Sequence, residues 1–252
     1  MSAVLRAGTW NIREGIPTGG NGKNWHARLA SIIAQADLDV LALQEVPFDR
    51  HGHSTILTTI TEQTKLRYAS GFSLSPSGFS SRNRSGIALA SRVPHCVSNQ
   101  MRLPNPDLRS DRPGVSWVSW DKGMLLIELK VSKLPFWVGS VHCYPFHKFD
   151  RKAEDEEFTP IWQALAAAVN HIPGEHIIVA GDFNTERRDL ITGMVKKHRL
   201  IPAIEGMATH RGRAVDDILH SRQLIRRSFA VTSSLSDHAF CQAEFGIEDV
   251  AQ

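Results

Sequence analysis

Six short stretches hold the residues that could do chemistry. Asn11 follows Ala7-Gly8-Thr9-Trp10, Glu45 follows Leu41-Ala42-Leu43-Gln44, and His142 follows Val138-Gly139-Ser140-Val141. Asp182 and Asn184 follow the apolar run 177–181, Asp216 stands between Val215 and Ile218-Leu219, and Asp237-His238 comes after Ser236. Most of them lie where an apolar run gives out, and loops at strand ends are where sites are usually built. Four carboxylates and two amides are costly to bury without partners. A hard divalent cation removes that cost, since carboxylate, amide and water oxygens are the ligands Mg²⁺ accepts. Such a site beside a neutral-to-basic surface suits attack on a phosphate ester.

The elements positioning these residues belong to an ordinary globular chain of 252 residues, 42% hydrophobic and 22% charged. A chain of this length can bury about three quarters of the surface it exposes when unfolded, and one domain over 1–252 is expected, as a monomer. Net charge +3 and a pI near 8.9 admit a polyanionic partner without requiring one. Cys96, Cys143 and Cys241 are odd in number and lack CxxC spacing, which argues against a disulfide framework or a zinc knuckle. No run approaches the ~20 apolar residues of a membrane span. The first strand pattern starts by Val4 with no basic-then-apolar leader, so a cytoplasmic location is expected.

Apolar runs predict strands over 4–12, 38–46, 86–91, 115–120, 124–131, 136–142, 177–180, 215–220, 228–232 and 239–245. Helical spacing predicts helices over 25–36, 54–64, 161–170 and 188–198, with Thr159 and Pro160 as N-cap and first residue of the third. Segments 71–85 and 104–114 read as surface loops, and Trp117 and Trp120 fall on opposite faces of a predicted strand, so one at least is expected in the core. Many strands with a few one-faced helices predict an α/β fold: a four-layer sandwich of two packed, mainly antiparallel sheets flanked by helices.

The stretches Thr9-Trp10-Asn11-Ile12, Gln44-Glu45-Val46, Gly181-Asp182-Phe183-Asn184-Thr185 and Ser236-Asp237-His238 resemble, in order, the motif series of the endonuclease/exonuclease/phosphatase superfamily. Each is short, but the ordered set covers residues 4–245, and the fold prediction rests as much on this resemblance as on periodicity. The resemblance implies that Glu45 is the principal ligand of an Mg²⁺ or Mn²⁺ ion, with Asn11 beside it at the ion's shell or the phosphate. It makes Asp237 a further metal-side carboxylate. Asp182 would orient or deprotonate the attacking water, helped by Asn184. His238 would contact phosphate and stabilise developing charge, oriented by Asp216, because a carboxylate fixes the tautomer and favours the imidazolium. Asp217 competes for that orienting role, and the family spacing favours Asp216.

His142 resembles the histidine of the pancreatic-type deoxyribonucleases, sphingomyelinases and several phosphatases, and Arg112 resembles a phosphate-directed arginine of the deoxyribonuclease branch. Two departures stand out. No Asp or Glu occurs over 70–92 to support His142, and Pro47 replaces the minor-groove arginine of those nucleases. His142 is therefore expected to act as a hydrogen-bond donor, and Arg82, Arg84, Arg92, Arg109 and Arg112 either rim a polyanion groove or scatter over the surface.

The function implied is a divalent-metal-dependent phosphodiesterase, foremost a DNA endonuclease or exonuclease. The alternatives are a phosphatase or phosphodiesterase for a lipid or small-molecule phosphate, and a non-catalytic polyanion-binding module. Each residue alone has a plainer reading: Asn11 as a turn residue, Asp182 to Asn184 as an Asx turn, Asp237-His238 as a cap, His142 as a core histidine. All of these would have to hold together, in order.

Overall fold

The computed structural model describes residues 4–18, 24–110, 117–131, 133–204, 206–233 and 235–247. Twelve strands form two six-stranded sheets among these residues. The first sheet contains β1 (Val4–Asn11), β2 (Val40–Phe48), β3 (Tyr68–Pro76), β4 (Arg84–Ser91), β11 (Leu224–Thr232) and β12 (Phe240–Ile247), in the order β11-β12-β1-β2-β4-β3. The second contains β5 (His95–Arg102), β6 (Gly123–Val131), β7 (Leu134–His142), β8 (His176–Asp182), β9 (Leu200–Pro202) and β10 (Asp216–Ser221), in the order β5-β6-β7-β8-β10-β9. Each sheet has one parallel pair, β1 with β2 and β7 with β8; the other pairs are antiparallel.

Period-two alternation sorts the apolar side chains into layers. Leu5, Ala7, Val40 and Ala42 point inward and meet Ile127, Val138, Ile178 and Ala180 of the other sheet. Their neighbours Leu41 and Leu43 point outward and bury Trp25, Leu29 and Ile33 of α1 (Trp25–Gln35) and Ile56 and Ile60 of α2 (Thr55–Gln63). On the far side, Ile177, Val179 and Leu219 pack under Ile161, Trp162, Leu165 and Val169 of α3 (Thr159–Asn170). Both faces of each sheet's centre are thus dry, giving the four layers. Ser54 caps α2 by accepting from the Leu57 N–H at 3.5 Å.

Several elements depart from expectation. Phe158 is the N-cap of α3, which shifts Thr159 and Pro160 one place into the helix. The helix expected over 188–198 shrinks to α4 (Asp189–Thr192), because the Asn170 side-chain oxygen captures the Lys196 and Lys197 amides at 3.0 and 3.1 Å. Segment 71–85, expected as a loop, supplies most of β3. Of the strand expected over 115–120, residues 115 and 116 lie outside the described residues, and the rest makes a single bridge, Val118 with Arg109. Trp117 and Trp120 are both half exposed, so neither is in the core. No helix among the described residues is long and apolar enough to cross a membrane.

Candidate active site

The two parallel pairs end at the same edge of the sandwich, and the chemistry-bearing residues collect there. Three stand in one row across the second sheet: His142 of β7 is level with Asp182 of β8, which is level with Asp216 of β10. The alternation that points Ile178 and Ala180 into the sandwich also points Asp182 inward. It separates Asp216 from Asp217. Asp216 shares the inward parity of Ile218, and its Oδ2 lies 2.9 Å from Nδ1 of His238, which precedes β12 in the opposite sheet. Asp217 points to the helical side and pairs with Arg188 at 2.9 Å.

A polar bridge floors the site between the sheets. Thr9 Oγ1 donates to Gln44 Oε1 at 3.3 Å, Gln44 Nε2 donates to Ser140 Oγ at 3.2 Å, and Ser140 Oγ donates to the Leu43 carbonyl at 3.1 Å. Glu45 by simple alternation would face the helices. A bulge between Gln44 and Val46, with Glu45 at φ 52°, turns its side chain into the cleft instead. Strain of this kind in a non-glycine residue gathers at functional sites. Gly181 has a different constraint: a Cβ there would stand 1.9 Å from the Val141 carbonyl, so the β7–β8 approach admits only glycine.

Asp182 is the hub. Asn11 Nδ2 donates to its Oδ2 at 3.0 Å and the Asn184 N–H to its Oδ1 at 2.8 Å. Asn184, at φ 54°, also donates from Nδ2 to the Cys143 carbonyl at 2.9 Å, so the Asx turn and the site are one structure. His142 Nε2 lies 3.5 Å and His238 Nε2 3.8 Å from Asp182 Oδ2. Burial, reinforced by Asp216, raises Asp182 to a pKa of about 6, although His238, Asn11 and Asn184 pull it down. For His238, burial opposes the charge, but Asp216 and then Asp182 outweigh it and raise the ring to about 10.

His142 has the opposite character. Burial, then Lys122, hold its pKa well below the ordinary value, so the ring is neutral. Lys122 Nζ sits 3.0 and 3.2 Å from its two nitrogens. An ammonium can only donate. Burial and Lys122 thus keep the ring neutral although carboxylate oxygens of Asp182 and Glu45 lie 3.5 and 4.0 Å from its Nε2, and burial lowers the pKa of Lys122 in turn.

Glu45, Lys122, His142, Asp182, Asn184, Asp237 and His238 line a cleft of about 560 Å³ together with Arg13, Glu14, His147, Lys148, His210 and Arg211, whereas Asn11 and Asp216 stand behind its wall. The His210 ring stacks on His238 at 4.1 Å, and its Nδ1 is 3.1 Å from the Asp237 carbonyl. Asp237 Oδ2 lies 3.7 Å from Arg13 Nε. Lys122, Arg13 and Glu14 escaped sequence reasoning, although the last two lie two and three residues after Asn11; Lys122 and His210 carry no local signal. Arg82, Arg84, Arg92 and Arg109 do not line the cleft. Arg84 is spent on Ser73 and Leu74, and Arg92 on Asp37, Leu38 and Asp39. Arg112 lies outside the described residues.

The donor set fits a hard cation. Carboxylates of Glu45, Asp182 and Asp237 line the cleft, the Asn11 amide oxygen behind them accepts from the Arg13 N–H at 3.1 Å, and buried Asp216 Oδ1 has no hydrogen-bond partner among the described residues. Asp182, Asp216 and His238 also bring ligand atoms within 4.8 Å of one another.

A two-sheet α/β sandwich with a carboxylate- and histidine-lined cleft at its strand ends is the build of hydrolases of phosphate and phosphodiester esters. The chain belongs to the Endonuclease/Exonuclease/phosphatase family, whose model matches residues 8–238. Its fold is similar to that of an endonuclease/exonuclease/phosphatase from Beutenbergia cavernae DSM 12333, at 17% identity and TM-score 0.74 over 97% of this chain and 72% of that one. Truncated Caenorhabditis elegans TDP2 is similar at 18% identity and TM-score 0.55 over 96% and 97% of the two chains. A mannosyl-6-phosphatase from Bacteroides thetaiotaomicron VPI-5482 is similar at 13% identity and TM-score 0.58 over 96% and 99%. No curated protein matches the chain by sequence.

Proposed function

We propose that this chain is a Mg²⁺- or Mn²⁺-dependent hydrolase of phosphodiester bonds, with DNA as its leading substrate. The asymmetric surroundings of Asp182 carry this reading. A carboxylate with a pKa near 6 is ionised at neutral pH yet basic enough to take a proton, while His238 beside it stays protonated. Pairs of groups pushed apart in this way assign base and acid.

Asp182, held by Asn11 and Asn184, accepts the proton of the attacking water. His238, oriented through Nδ1 by Asp216, presents Nε2–H to a phosphoryl oxygen. Lys122 adds positive charge beside it, and neutral His142 offers a further hydrogen bond. Glu45, Asp237 and the Asn11 oxygen would hold the divalent ion. When bound, the ion supplies Lewis-acid stabilisation of phosphoryl charge. A second reading, a phosphatase for a small-molecule phosphate, is favoured by the modest cleft volume and by the similarity to the mannosyl-6-phosphatase.

Plasmid nicking and p-nitrophenyl ester hydrolysis, run with Mg²⁺, Mn²⁺ or EDTA on the wild type and on Asp182→Ala, test the proposal. Turnover is expected with metal only and is expected to vanish in the variant. Nicking that survives either EDTA or Asp182→Ala defeats the reading.

A further inference from the structure

Four of the six tryptophans, Trp10, Trp25, Trp137 and Trp162, are buried at 6% exposure or less. The other two, Trp117 at 47% and Trp120 at 41%, both stand on the wall of the catalytic cleft, as does Phe79 at 49%. Leaving large aromatic faces in water forgoes the burial that normally stabilises them, and a cluster of such faces marks a binding surface. The loop that carries Phe79 is also held in place. The carboxylate of Glu14 accepts from Ser77 Oγ and, at 3.1 Å, from the Gly78 N–H, and Ser77 Oγ in turn accepts from the Phe79 N–H at 3.0 Å. Glu14 reaches that loop from a backbone with φ 52°, next to Arg13 at φ 49°. Gly78 abuts Trp120: a Cβ there would lie 3.2 Å from the indole. Phe79 and Trp120 therefore share one corner of the cleft.

Cations interleave with these rings. The Arg13 guanidinium lies 5.2 Å from the Phe79 centroid, and Lys148 Nζ lies 5.0 Å from that of Trp117. A lipid tail calls for a continuous aliphatic groove without charges. A sugar calls for unspent carboxylates or amides beside the ring, yet Glu14 is occupied by the 77–78 loop and Asn105 by Ser119 and Asp121. Aromatic faces alternating with cations match a chain in which flat bases alternate with phosphates. A duplex keeps its base faces stacked inside and offers only edges.

We propose that Phe79, Trp117 and Trp120 form a stacking subsite for an unpaired nucleobase flanking the scissile phosphate, so that the preferred substrate is single-stranded or frayed nucleic acid rather than intact duplex. This rests on the phosphodiesterase reading and names its substrate class. Stacking of one base on an aromatic side chain corresponds to about tenfold in affinity.

The experiment compares two phosphodiesters with one leaving group: thymidine 5′-(p-nitrophenyl phosphate) and methyl p-nitrophenyl phosphate, each with Mg²⁺, on the wild type, Trp120→Ala, Phe79→Ala and Trp120→Phe. The wild type is expected to favour the base-bearing ester by about tenfold or more in kcat/KM, through KM. Trp120→Ala and Phe79→Ala are expected to collapse that ratio, and Trp120→Phe to restore most of it. A purely structural role would lower both esters together and leave the ratio intact. An unchanged ratio in both alanine variants, or no base preference in the wild type, overturns the subsite while the hydrolase reading stands. If neither ester is hydrolysed with Mg²⁺ or Mn²⁺, the hydrolase reading fails. Quenching of tryptophan fluorescence by a single-stranded oligothymidylate, expected in the wild type and reduced in Phe79→Ala, which keeps every tryptophan, then judges the subsite by itself, and absence of quenching refutes it.

Discussion

Asp216→Asn isolates the charge on His238 from its orientation. The asparagine oxygen can still accept from Nδ1–H at the present 2.9 Å, so the ring keeps its direction while the anion behind it is lost. The rise of His238 from 6.5 to about 10 represents about 5 kcal/mol of preference for the imidazolium. Asp216 leads the groups that favour the charge, ahead of Asp182. Crediting it with half of the net preference gives ~2–3 kcal/mol, which lowers the imidazolium population by up to about a hundredfold once pH exceeds about 10 and changes it little at neutral pH. The new amide also places a donor where Asp216 Oδ1 now sits without a partner, at a cost of ~1–3 kcal/mol in stability. The assay is kcat/KM against pH on a chromogenic phosphodiester with saturating Mg²⁺, together with an NMR titration of His238. The sign follows from the raised pKa: the imidazolium persists until pH passes the folded value, so lowering that value brings the alkaline limb to lower pH. An unmoved alkaline limb, with kcat/KM within threefold of wild type even at pH 10, would refute the argument, provided that His238→Ala is inactive.

Other outcomes follow from the same geometry. In metal-free protein, the raised pKa of Asp182 contributes stability that is fully present below pH 3.8 and lost as pH rises through about 6, a span worth ~3 kcal/mol. Denaturant melts in EDTA are thus expected to show wild-type stability falling from pH 4 to pH 7 relative to Asp182→Asn, and parallel curves would contradict this. Mg²⁺ at a hundred times its Kd is expected to stabilise the wild type by about 2.7 kcal/mol and Glu45→Ala far less, as read by melting temperature. Lys122→Met removes a cation beside the phosphoryl position and is expected to cost ~10²–10³ in kcat, with His142 titrating at a higher pH by NMR. Gly181→Ala drives a Cβ into the Val141 carbonyl and is expected to lose ~1–3 kcal/mol or more in thermal melts.

Much of the frame was legible without coordinates. The central strands announced themselves because their residues are buried on both faces and are apolar almost throughout, as in 40–43 and 177–180. The strands that went unseen, β3, β5 and β9, are all edges of their sheets. An edge strand has one partner and much solvent, so Ser- and Gly-rich or polar sequence suffices, and pairing rather than composition makes it a strand. The reverse error at 117–120 has a related cause: a segment rich in Val and Trp has the composition of a strand, but it makes only one bridge among the described residues.

By itself the chain determined which residue types end its apolar runs, and so the oxygen-rich chemistry and the family pattern. Tertiary structure decided the rest. Cross-strand register put His142, Asp182 and Asp216 in one row, and parity sent Asp217 to Arg188. The Gln44–Val46 bulge turned Glu45 inward. Lys122 came to lie against His142, 20 residues away, and His210 against His238, 28 residues away. Contacts between residues so far apart depend on strand order, a property of the folded sheet that no local window of sequence encodes.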